Sequence, residues 1–175
     1  MMSMCYDPVT DAFYGMSGLA EGSGLRYGRI VRVDLDPVSG QPKATILRDN
    51  PETAQAYSGF YYDPSTQQIK VFTDNHQLNI FNRETGQLVT DLELSCENYE
   101  DEAMIFSGFD NRGTAHLVYS PRDQKVLMMV PDMSAQLHTY IYSFENDEGI
   151  LVREGEIEGG YYLTALYTPD TYADP

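Results

Sequence analysis

Basic residues are scarce in this chain. Eleven lysines and arginines stand against 27 acidic residues, a formal net charge of −16, and lysine occurs only at Lys43, Lys70 and Lys125. A surface of that sign repels phosphate backbones and anionic headgroups, which argues against nucleic acid and against a membrane surface as partners. Otherwise the charge reads as solubility. No apolar run approaches the ~18 residues of a membrane span. The start, Met1-Met2-Ser3-Met4, has no basic stretch leading into an apolar one, so no signal peptide is visible. The chain reads as soluble, with its compartment left open. Cysteine is limited to Cys5 and Cys96. They fall in different repeats, and a disulfide needs Cα atoms within about 7 Å, so two partly buried free thiols are expected. Tryptophan is absent, and 14 tyrosines and seven phenylalanines carry the aromatic content instead. Together with Val, Ile and Thr they favour the half-buried surface of strands.

A short phrase comes back four times: Tyr6-Asp7-Pro8, Tyr62-Asp63-Pro64, Tyr119-Ser120-Pro121 and Tyr167-Thr168-Pro169, at intervals of 56, 57 and 48 residues. Spacing of this size marks a repeat architecture. The second repeat is the clearest. Gly59-Phe60-Tyr61-Tyr62 reads as a strand, and Asp63-Pro64-Ser65-Thr66 as a turn in which proline presets φ and Asp and Ser bond the local backbone. Gln68–Thr73, Gln77–Phe81 and Gln87–Leu94 follow as three more strands, the last pair joined by Glu84-Thr85-Gly86. The others fit the same template. The expected repeats span about 2–47, 58–94 and 115–153, with a fourth beginning at 160–169. The fold class is therefore all-β: one domain of tandem four-stranded antiparallel meanders, three complete and one extra strand. The only helical hint is a turn at Asn50-Pro51-Glu52-Thr53.

The stretch Ile69-Lys70-Val71-Phe72-Thr73-Asp74-Asn75, with Leu78–Asn82 and Thr85-Gly86 after it, resembles the β-propeller repeats named for the phrase Tyr-Val-Thr-Asn. These belong to the quinoprotein-dehydrogenase-like propellers. About one repeat matches well, and Phe72-Thr73-Asp74-Asn75 stands in place of the phrase itself. The resemblance implies a fold and no catalytic residue.

In such a meander, the first-to-second and third-to-fourth turns emerge at one end of the sheet. The other links emerge at the opposite end. Here the first kind is short and the second long: Met16–Gly28, Asp49–Tyr57, Ser95–Phe106 and Pro131–Gln136. Long connections on a rigid scaffold are where binding usually resides, so Arg26, Tyr27, Tyr57, Tyr99 and Met133 are interaction candidates. Three meanders and one strand cannot close a ring of four to eight blades. The extra strand Tyr161–Tyr167 would be an open edge, inviting self-association or a larger β assembly.

Catalytic signals are weak. Glu97, Glu100, Asp101 and Glu102 gather oxygens that suit Ca²⁺, but their spacing matches no calcium loop, and a solvated acidic loop is the ordinary reading. Asp34 and Asp36 with Gly40 form a hairpin turn rather than a calcium loop. The glycines from Gly15 to Gly28 lack a phosphate-loop ending. His76, His116 and His138 occupy different template positions and need not converge. No catalytic residue is assigned, and no cofactor beyond a chance of Ca²⁺. The expected function is a non-enzymatic protein-interaction or structural scaffold. The alternative is a propeller hydrolase or sugar-processing enzyme in which Ca²⁺ could take part, its site shared between chains. Cofactor or electron-transfer chemistry has only fold analogy behind it.

Overall fold

The computed structural model describes residues 3–21, 24–49, 57–73, 77–101, 116–120, 122–132 and 138–159. Among the described residues, thirteen strands fall into three sheets. Sheet 1 contains β1 (Ser3–Asp7), β2 (Ala12–Glu21), β3 (Gly24–Leu35) and β4 (Pro42–Asp49). Sheet 2 contains β5 (Tyr57–Asp63), β6 (Gln68–Thr73), β7 (Gln77–Asn82) and β8 (Leu88–Glu93). Sheet 3 contains β10 (His116–Ser120), β11 (Lys125–Asp132), β12 (His138–Glu145) and β13 (Ile150–Glu158), plus the short β9 (Ser95–Cys96). Neighbours in each meander are antiparallel, as the alternation predicts.

The recurring tyrosine–proline phrase builds the first turn of every sheet. Asp7 and Asp63 each accept the backbone N–H two residues on, from Val9 and Ser65, both at 2.9 Å. The last turn residue then adopts the left-handed region at Asp11, Gln67 and Gln124, with φ of 52°, 56° and 55°. The third-to-fourth turns close on Gly40, Gly86 and Gly149, with φ of 68°, 66° and 69°. Asp36 and Asn82 cap two of them by accepting the following backbone N–H groups.

β5 lies between β1 and β10, so the first strands of the three sheets stand side by side and the sheets stack face to face. Sheet 2 is covered on both faces. Phe60, Ile69, Val71 and Phe81 pack on Tyr14 and Ile30 of sheet 1. Tyr61, Phe72 and Leu78 pack on Tyr119, Val126, Met128, Tyr142 and Phe144 of sheet 3. Tyr62 stacks on Tyr14 at 6.1 Å between ring centres, and Tyr119 on Tyr61 at 5.9 Å. This is the arrangement of consecutive blades in a β-propeller.

Three details differ from the sequence reading. The glycine-rich stretch Met16–Gly28 is not a long loop: β2 runs to Glu21 and β3 starts at Gly24, pairing Gly18 with Tyr27 and Leu19 with Arg26. The paired register established at Phe13↔Val33 continues outward past a bulge at Ser17/Gly18, which glycine tolerates. Sheet 3 has five strands rather than four. After β8 the chain adds β9 parallel to β13, with Ser95 N–H donating to the Gly149 carbonyl at 3.0 Å and Glu97 N–H to Leu151 at 2.9 Å. Two residues carry no readable periodicity. Tyr57 begins β5 instead of ending a loop. The helical hint at residues 50–53 and the extra strand Tyr161–Tyr167 lie outside the described residues.

Cys5 and Cys96 are not joined in a disulfide, and both are partly buried. Among the described residues no helix is long and apolar enough to cross a membrane.

Candidate functional site

The polar chemistry of this chain is concentrated where the corner of one sheet meets the next sheet. Asp7 ends β1 and is fully buried. It accepts from Val9 N–H and the Thr10 hydroxyl within its own turn, and from Arg83 Nη1 at 2.7 Å across the junction. The same Arg83 nitrogen donates to the Tyr62 hydroxyl at 3.0 Å. Burial alone would raise the Asp7 carboxyl. The Thr10 and Val9 bonds, the Tyr62 hydroxyl and the Arg83 charge outweigh it and hold the group below its ordinary value. Burial, with Asp7 beside it, pushes Tyr62 up to about 12. Burial also pushes the neighbouring Cys5 thiol far up, which leaves it a poor nucleophile.

The junction of sheets 2 and 3 repeats this plan with other side chains. Asp63, also fully buried, accepts from the hydroxyls of Ser65 and Thr66, both at 2.6 Å, from Asn146 Nδ2 at 2.6 Å and from Lys70 Nζ at 3.0 Å. Lys70 Nζ donates to Asn146 Oδ1 at 2.7 Å, and the Tyr61 hydroxyl donates to the same oxygen at 2.8 Å. Burial opposes ionisation of Asp63, but these donors hold its carboxyl well below the usual carboxylate range. Arg83 and Asn146 each directly follow the third strand of their sheet, so the two locks occupy one repeat position. The third corner departs from them: Ser120 donates to Asp123 in its own turn at 2.9 Å.

These groups set a pH window. Asp7 and Asp63 have folded-state values lowered below the unfolded carboxylate value of about 4. The stability they contribute is complete above that value and lost as pH falls. Tyr62 runs the other way: its contribution is complete below about pH 10 and lost as pH climbs toward 12. Thermal melts from pH 2 to 12 should show a broad plateau with losses at both ends. A melting temperature unchanged down to pH 2 would contradict the buried carboxylate locks.

Among the described residues, the acidic positions singled out from sequence do not gather into one site. Asp101 sits in a helical turn at 99–101 and is buried, facing Arg153 Nη1 at 3.4 Å, while Glu97, Glu100 and Tyr99 point to solvent. Arg153 also lies over the Tyr140 ring at 4.4 Å. Among the described residues no cluster of three or more His, Cys, Asp or Glu side chains could hold a metal. Glu102, Met133 and His76 lie outside the described residues, and Arg26 and Tyr27 belong to β3. His116 and His138 lie on β10 and β12. Sequence reasoning missed Arg83, Lys70 and Asn146. A lysine inside the otherwise apolar run Ile69–Phe72 was the available signal.

No family model matches the chain, and no curated protein does. Solved structures match it in fold. A Bacteroides uniformis protein named as a 6-phosphogluconolactonase superimposes with a TM-score of 0.51 at 14% identity, covering 96% of this chain and 44% of its own. The β-propeller domain of Cps50 (Swd1) from Myceliophteria thermophila gives 0.41 at 11% identity, covering 90% of this chain and 58% of its own. The Dos1 propeller gives 0.41 at 13%, covering 91% and 36%. The chain thus spans less than half of the first of these. At such identities the likeness is one of fold alone.

Proposed function

We propose that this chain is a non-enzymatic scaffold module, part of a larger propeller, that contacts protein through the end of its sheets opposite the tyrosine–proline corners. One observation carries the reading. Each buried ionisable group in the corner networks is committed to holding one sheet against another: Asp7 to Arg83 across the first junction, and the paired Asp63 and Lys70 of sheet 2 to Asn146 of sheet 3. Buried charge spent on such locks is not free to act on a substrate. The interaction end carries the β2–β3 ribbon, which includes Arg26 and Tyr27. The finer family reading, repeats of the Tyr-Val-Thr-Asn type, is supported by the third strand Leu78–Asn82 and its Thr85-Gly86 turn.

The rival reading is a hydrolase, favoured by the name of one structural neighbour. The test is an assay for sugar-lactone and glycoside hydrolysis with Ca²⁺ or EDTA, together with a melting curve in each. The expected result is no turnover above buffer and the same melting temperature in both. A site occupied at a hundred times its dissociation constant would add about 2.7 kcal/mol. Turnover, or a melting temperature raised by Ca²⁺, would displace the scaffold reading.

A further inference from the structure

The two junctions of this chain are built unequally. Between sheets 2 and 3, every long strand of sheet 3 puts a buried side chain into the shared core: Tyr119 on β10, Met128 on β11, Phe144 on β12 and Leu151 on β13 are among them. Backbone stitches the same two sheets. β9 follows β8 of sheet 2 in the chain, and it pairs with β13 of sheet 3. Asn146 adds hydrogen bonds to Tyr61, Asp63 and Lys70 of sheet 2.

Between sheets 1 and 2 the hold is thinner. Among the described residues, sheet 1 puts two side chains fully into the shared core, Tyr14 on β2 and Ile30 on β3. Cys5 on β1 and Leu47 on β4 are only partly buried against it. The backbone ladders described for sheet 1 run among its own four strands. The polar tie is the ion pair Asp7–Arg83, and Arg48 lies over the Phe81 ring at 5.0 Å from its centre. Folds open in contiguous cooperative units, and the unit with the fewest buried apolar contacts opens at the lowest free energy.

We propose that sheet 1 is a separately opening unit, which leaves sheet 2 and returns to it while sheets 2 and 3 stay packed together. Opening uncovers Phe60, Ile69, Val71 and Phe81 of sheet 2, and the β2–β3 ribbon travels with sheet 1. The Asp7–Arg83 pair is the latch, because it is made only when the sheets are closed.

The test is hydrogen exchange of the full chain at neutral pH, followed strand by strand. The slowest amides of β2 and β3 should exchange at least about tenfold faster than the slowest of β6, β7, β11 and β12. Urea should separate two classes. β2 and β3 follow the shallower dependence, because their opening exposes less surface, until both classes meet on the steep line of complete unfolding.

Two substitutions read the order of events. Asn146→Ala weakens the sheet 2–sheet 3 junction equally in the closed molecule and in the one with sheet 1 open. It should quicken β11 and β12 by about tenfold and leave β2 and β3 unchanged. Asp7→Asn raises the energy of the closed state alone, so it should quicken all three sheets by one common factor. A single protection level and a single urea dependence for the three sheets overturn the proposal. So does slower exchange in sheet 1 than in sheet 3. Equal quickening of β2–β3 and β11–β12 by Asn146→Ala also overturns it, since sheet 1 would then leave only when the whole chain unfolds. Should either variant fail to fold, the urea series on the wild-type chain decides.

Discussion

Asp63→Ala should lower the free energy of unfolding by about 3–5 kcal/mol, the range for removing one partner of a buried ion pair. The cause is what stays behind. Lys70 is 3% exposed and would be left with the Asn146 oxygens as its acceptors and no counter-charge. The Ser65 and Thr66 hydroxyls and the Asn146 amide would lose their common acceptor at the same time. The sheet 2–sheet 3 junction would open from its corner. The exposed pair Lys125–Glu145 is the control, and Glu145→Ala should cost under about 1 kcal/mol. Urea midpoints at constant slope measure both. A loss near 1 kcal/mol for Asp63→Ala would mean the corner is wetter than its geometry indicates.

Gly149→Ala and Gly86→Ala should each cost about 2–5 kcal/mol, against about 1–2 kcal/mol for Gly40→Ala. The left-handed conformation penalises alanine by about 1–2 kcal/mol at all three positions. The difference comes from space. At Gly149 and Gly86 the added methyl would run into backbone carbonyls of the preceding sheet, and backbone yields only by moving the sheet. At Gly40 it meets nothing. Equal losses at the three glycines would show that the turns do not press on neighbouring sheets as described.

Much of this architecture is legible from local chemistry. The Tyr-x-Pro phrase marks the same corner in all three sheets because proline and the aspartate or serine before it dictate one turn. Alternation in Gln68–Thr73 and Gln77–Phe81 reads directly as strands facing two ways. What was not legible depends on contacts between distant positions. Asp7 and Arg83 are 76 residues apart, and nothing in either local stretch announces the other. Asp63 looked like turn chemistry alone, although its second carboxylate oxygen reaches the next sheet. The acidic stretch from Glu97 reads as a solvated loop with Ca²⁺ as the lesser alternative, whereas Asp101 is turned inward toward Arg153 and its neighbours Glu97 and Glu100 face water. Glycines between Met16 and Gly28 suggested a loop, because their permissiveness hides the pairing that the flanking strands impose.

The most direct measurement is a double-mutant cycle across the first junction, with Asp7→Ala, Arg83→Ala and the pair. The two residues sit in different sheets with their charged atoms 2.7 Å apart and buried. If the corner of each sheet grips the turn of the next, the cycle should return a coupling of about 1–3 kcal/mol. Additive losses, with coupling within about 0.5 kcal/mol of zero, would mean that apolar packing alone joins the sheets and that these buried charges are free for another task.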